Sequence, residues 1–209
     1  MTWLKTRLNI SDREKATFPI AILLLVVATV LRVQPHTPNV TPFFAVSVLV
    51  GFILGRERAV LAGLLSAAAM VVSDLALGLH ESMLFVYAGM AMAALVGAYG
   101  SSFVVGRGQG LVAWLKRIAG AFLVSGVASV VFFVVSNIGV WLVGGLYAHT
   151  FQGLVECFVM AVPFFSKSLA ADLSFGTLFL VVAERLMSGA FATKSVAAEA
   201  ESVKVIHGR

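Results

Sequence analysis

Cysteine is almost absent from this chain. Cys157 is the single one in 209 residues, which excludes any intramolecular disulfide. Charge is scarce as well: charged residues make up 12% of the chain, about half the roughly 25% usual in soluble globular domains. No large polar block interrupts the sequence, so a separate soluble domain is excluded. The chain has no G-x-S-x-G, H-E-x-x-H, G-x-G-x-x-G or P-loop phosphate cradle. These absences point away from an enzyme and from transport powered by the chain's own nucleotide hydrolysis.

What is present is apolar. Hydrophobic residues make up 60% of the chain, and the mean hydropathy is +0.99. Long apolar runs of this kind mark an integral membrane protein. A bilayer core of roughly 30 Å needs about 20 helical residues to cross. On that ruler six crossings are expected, at about 17–33, 41–55, 58–79, 83–105, 113–135 and 163–185. The runs lack the alternation of barrel strands, so the expected fold is an all-α bundle. Residues 1–16 read as a cytoplasmic N-terminal segment, 17–186 as the six-helix membrane domain and 187–209 as a disordered cytoplasmic tail. The first run resembles a signal peptide, but it ends in Arg32 and Pro35 without a small-x-small cleavage site, so it reads as an uncleaved membrane helix.

Basic residues set the expected orientation. Lys5, Arg7, Arg13, Lys15, Arg56, Arg58, Arg107, Lys116, Arg117, Arg185, Lys194, Lys204 and Arg209 collect at alternate ends of the six runs, and they are thirteen of the 15 lysines and arginines. The positive-inside rule then places both termini in the cytoplasm. The net charge of +5 is therefore topogenic and does not point to nucleic acid. Three connections, 34–41, 74–82 and 136–162, face outward on this reading. Residues 141–162 are too apolar for a free loop and read as a re-entrant or interfacial helix over the outer mouth. Pro163 is expected in the first turn of the sixth helix, where proline is tolerated.

The outer connections hold the residues with chemistry. Pro35, Pro38 and Pro42 break any continuous helix and make a stiff turn that carries His36, Asn39 and Thr41. Asp74 lies in an apolar run, where a charge costs at least ~2.5 kcal/mol unless it faces the bundle or water. It is read either as the partner of Arg32 or Lys167 or as a contact to a solute. His36, His80 and His149 fall one on each connection, and imidazole is a good transition-metal ligand, but none is spaced as a local pair. Asn137, Trp141 and Tyr147 read either as an interfacial aromatic belt or as the wall for a planar solute. Gly89, Ala93 and Gly97, and likewise Ala121, Ser125 and Ser129, recur every four residues, a spacing that lets helices approach closely.

Four motifs together carry a resemblance: Pro35-His36-x-Pro38-Asn39-x-Thr41-Pro42, Ser73-Asp74-Leu75-x-Leu77-Gly78-x-His80, Asn137-x-Gly139-x-Trp141 and Pro163-Phe164-Phe165. Over about 18–186 the chain resembles a bacterial membrane family of unknown function. It is similar to the substrate-binding S-components of energy-coupling-factor (ECF) vitamin transporters, most of all the solitary cobalamin S-components of the BtuM type. The resemblance implies a six-helix protein of the bacterial cytoplasmic membrane, with no intrinsic cofactor, that binds cobalamin or a related corrinoid in an outward pocket. His36, Asn39, Thr41, Asp74, His80, Asn137, Trp141 and Tyr147 would line that pocket. His80, or alternatively Cys157, would supply the axial cobalt ligand. It also implies an ECF transmembrane subunit and ATPases as partners, docked through an alanine-x-x-x-alanine motif on the first helix. Here Ala21 and Ala28 are seven apart, so that motif is absent. Uptake of a bare cobalt or nickel ion and a non-transport membrane scaffold are the alternatives.

Overall fold

The computed structural model describes the backbone of residues 2–35, 41–105, 108 and 110–207, and the side chains of 17–35, 41–105, 108 and 110–187. Every regular element among the described residues is helical: α1 (Thr2–Val33), α2 (Phe43–Leu54), a 3-10 turn (Arg56–Arg58), α3 (Ala59–Leu77), α4 (Met83–Val104), α5 (Leu111–Val143) and α6 (Phe151–His207). Backbone groups facing lipid can be satisfied only within a helix or a closed barrel. These apolar runs take the first solution.

Four stretches are long and apolar enough to cross a bilayer: Arg56–Leu77, Met83–Val104, Leu111–Val143 and Phe151–Met187. The described part of α1, Thr17–Val33, and α2 are shorter. Their neighbours compensate for α2. Its 12 residues reach only about 18 Å at 1.5 Å per residue, yet every one of them is buried. It is the central post of the bundle, packed against α1, α3, α4 and α6. Contact with α4 is backbone against backbone. A methyl group at Gly51 would overlap the Ala94 carbonyl, and one at Gly97 would overlap the Val48 carbonyl. The small-residue stripe expected on α4 is therefore its seam with α2, with Gly89 turned to Phe132 on α5.

Three sequence boundaries need correction. α5 continues to Val143 and not to 135, so Asn137 and Trp141 ride on its last turns and not on a loop. α6 begins at Phe151 and not at 163, so Pro163 lies inside a helix. The expected re-entrant or interfacial segment 141–162 is instead the end of α5, a short turn and the first turns of α6. The ruler stops a helix once the crossing is complete, whereas backbone hydrogen bonding continues past it. The expected disordered tail, 187–209, coincides with the last turns of α6 as far as His207; its side chains beyond 187 lie outside the described residues.

Candidate functional site

At one end of the bundle, α1, α2 and α3 meet on a buried ion pair. Arg32, in the last turn of α1, places Nη1 2.6 Å from Asp74 Oδ1. The same nitrogen donates to the Ser73 hydroxyl, which in turn donates to the Met70 carbonyl at 2.7 Å. The guanidinium lies 6.0 Å from the Phe43 ring centroid at the start of α2. Tyr87 of α4 brings its hydroxyl into the same electrostatic cluster. Asp74 Oδ2 has no hydrogen-bond partner among the described residues. Just beyond, Gly78 closes α3 with φ 106, a left-handed backbone that glycine adopts without a Cβ clash. Its N–H donates to the Asp74 carbonyl at 2.8 Å. The Ser-Asp…Gly spacing is thus a helix terminus built around an ion pair.

The opposite end is tied in the same way between α5 and α6. Arg117 Nε donates to Glu184 Oε1 at 3.1 Å with both side chains buried, and its Nη2 donates to the Gly108 carbonyl at 3.0 Å. Arg117 is thus more than the topogenic charge that its sequence position suggests. Arg56 donates to the Tyr99 carbonyl at 3.1 Å and the Ser102 hydroxyl at 3.3 Å, which fixes the α2–α3 turn to the end of α4.

Between these ends the α5–α6 seam follows one register. Arg117 faces Glu184, Ser125 faces Gly176, and Ser129 donates to Asp172 Oδ2 at 2.6 Å. Each step up α5 is matched by an equal step down α6. Toward the start of α6 the match fails, because the Cys157 thiol lies 3.5 Å from the Asn137 carbonyl. Between the Ser129–Asp172 and Asn137–Cys157 contacts α5 advances eight residues and α6 fifteen. The excess is roughly 10 Å of helix, so α6 cannot stay parallel to α5 there. The stretch where the register departs contains Pro163, the residue type that usually accounts for a helix kink.

A cleft of about 210 Å³ opens along this stretch, lined by Ser129, Phe132, Phe133, Ser136, Asn137, Ala161, Phe164, Phe165 and Ser168. Phe133 stacks on Phe165 at 4.2 Å and meets Phe158 edge-on at 5.4 Å. The walls are aromatic, and the polar groups are three hydroxyls and one amide.

The residues expected to form one pocket are dispersed. His36 and Asn39 lie outside the described residues. Thr41 Oγ1 accepts from the Phe43 N–H at 3.0 Å, capping α2. Asp74 is held by Arg32, not by Lys167. His80 is exposed, with Nδ1 3.2 Å from the Ser82 hydroxyl. The Asn137 amide lines the cleft but donates back to the Phe133 carbonyl at 2.7 Å. The Trp141 indole N–H donates to the Ala148 carbonyl at 2.9 Å, and its ring meets His149 at 5.7 Å. Tyr147 is half-buried in the turn between α5 and α6, and Cys157 is buried. No group of three or more metal-ligating side chains exists among the described residues.

Asp172 and Glu184 were not singled out from the sequence. The available signal was an acid in an apolar run, opposite the Ser125–Ser129 spacing that had been noted. Comparison with curated proteins and with solved structures finds no similar protein. A family model described as "Family of unknown function (DUF6580)" matches residues 12–195, nearly the whole chain, and the protein belongs to that family.

Proposed function

We propose that this is a multi-pass protein of the bacterial cytoplasmic membrane that captures a vitamin-class solute from the outer side, cobalamin or a related corrinoid being the leading candidate. Six helices would cross or enter the bilayer with both termini inside, in line with the clustering of arginine and lysine at the end that holds Arg56, Arg117 and Arg185. The observation that carries the reading is the α5–α6 cleft, where apolar aromatic walls surround a few polar groups, the usual make-up of a small-molecule site. Its volume of about 210 Å³ admits a planar group or one arm of a larger molecule, not a whole corrin ring. Of the two axial candidates His80 is exposed, whereas Cys157 is buried against the Asn137 carbonyl. Access therefore favours His80. Ala21 and Ala28 are both buried against the bundle, so the first helix turns these alanines inward, away from a partner. That supports action without a standard energy-coupling module.

The test is the absorbance spectrum of the purified protein after incubation with cobalamin and desalting. Retained corrinoid bands that change in His80→Ala and weaken in Phe133→Ala are expected. A second reading, a membrane scaffold, is favoured by the ion pairs that lock both ends of the bundle. It predicts a colourless protein whose stability, not its ligand content, responds to Arg32 and Asp74 substitutions.

A further inference from the structure

Asp172 is 7% exposed and sits in the middle of the apolar part of α6. Its one hydrogen bond among the described residues comes from Ser129 at 2.6 Å. No cation faces it. α6 packs on α2, α4 and α5. α2 and α4 contain no charged residue. The charged residues of α5 are Lys116 and Arg117, the latter roughly 18 Å away along the helix and paired with Glu184. On α6 itself Lys167 is exposed, and Glu156 and Glu184 lie several turns away. The titratable groups of α4 point elsewhere: Tyr87 donates to Met83, and the Tyr99 ring lies under Arg56. A carboxylate left charged in such surroundings is strongly disfavoured.

A second observation lies one turn deeper. The Ser125 hydroxyl is 1% exposed, has no hydrogen-bond partner among the described residues and is directed at Gly176, one turn along α6 from Asp172. Ser129 belongs at once to the carboxyl and to the cleft, of which it is the innermost α5 residue.

We propose that Asp172 is a proton-binding site within the membrane, held neutral beneath the α5–α6 cleft and linked to the cleft through the Ser129 hydroxyl. One carboxyl oxygen accepts from Ser129 while the other carries the proton. Filling of the cleft by a polar solute competes for Ser129 and so changes the proton's hold. This link, unlike the proton site itself, rests on the solute-binding reading.

Infrared difference spectroscopy on the full-length protein in lipid nanodiscs tests the site without any ligand. A protonated-carboxyl band is expected at neutral pH, lost reversibly as pH is raised. It should be absent from Asp172→Asn and retained in Glu184→Gln. Ser129→Ala should keep the band but shift its frequency, because the carboxyl loses its hydrogen-bond donor. The site is overturned if wild type shows no such band at neutral pH, or if the band survives in Asp172→Asn. It is also overturned if exchanging potassium for sodium at fixed pH removes the band, which would mark a sodium site. Adding cobalamin should perturb the band. A band that cobalamin leaves unchanged while corrinoid is retained overturns the link alone.

Discussion

Arg32 and Asp74 lie 42 positions apart in the chain, yet their side chains meet at 2.6 Å. The carboxylate is buried and the guanidinium partly so. Thr17 of α1 and Arg56 line the same cavity at the opposite end of the bundle. From Thr17 to Arg32 is fifteen residues of α1, roughly 22 Å of helix, against roughly 30 Å of hydrocarbon. Were Arg56 at one boundary of the hydrocarbon, the pair would sit short of the other. Side-chain exposures are 16% for Arg32 and 3% for Asp74.

Removing one partner from such a pair should therefore be severe. Asp74→Asn or Arg32→Met leaves the other charge buried, a loss of about 3–5 kcal/mol in comparable soluble sites. The double variant Arg32→Met with Asp74→Leu should recover much of that loss. Thermal unfolding in nanodiscs measures both. Additive losses, with the double variant destabilised by the sum of the two single variants, would show that the two charges are not coupled.

The α2–α4 seam leaves no room for a side chain at its glycines. Gly97→Ala places a methyl on the Val48 carbonyl, and overpacking of this kind usually costs about 1–3 kcal/mol. Gly97→Leu should abolish the folded, monodisperse protein altogether. Gly126→Ala is the control, because a methyl there meets only Leu173 at ordinary contact distance, 3.5 Å. Size-exclusion profiles and melting temperatures should separate the two sites clearly.

Cys157 offers a chemical check on how the start of α6 packs on α5. It is 2% exposed, and its thiol rests on the Asn137 carbonyl. Maleimide should label it very slowly in the folded protein and fully in SDS. Phe158→Ala, which removes the edge contact to Phe133, should accelerate labelling by loosening α6 against α5. Rapid labelling of the wild type would mean that the outer part of α6 does not pack as described.

The helix order was readable from the sequence because each apolar run had to satisfy its own backbone. The Arg32–Asp74 pair was readable as one of two options, since a carboxylate in an apolar run needs a cation. Asp172 was not, because its solution is a hydroxyl on another helix, and nothing local to α6 announces Ser129. Pro163 was misplaced for a related reason. Proline fits the first turn of a helix, but membrane helices also carry it internally where neighbours and side-chain hydroxyls satisfy the freed carbonyl. The carbonyl freed here is that of Val159, one turn before the proline; the Ser166 hydroxyl donates at 2.9 Å to the carbonyl of Pro163 itself. Dispersal of the expected pocket residues has the same origin. Residues on separate turns were grouped by side of the membrane, and the side alone does not say which helices adjoin.

Orientation can be settled with the chain's single native thiol removed. In a Cys157→Ser background, cysteines placed at His80 and at Glu57 report the two ends of the bundle, since both positions are exposed. A membrane-impermeant maleimide applied to intact spheroplasts should label His80→Cys and spare Glu57→Cys until the membrane is opened. The expectation follows from the charge: Glu57 lies between Arg56 and Arg58, in the 3-10 turn at the basic end, whereas the basic residue nearest His80's end is Arg32, neutralised by Asp74. Once paired, Arg32 adds little positive charge to its own end of the bundle, which sharpens the asymmetry that the positive-inside rule reads. The opposite labelling pattern would place the aromatic cleft near the cytoplasm, and capture of a solute from outside would then be untenable.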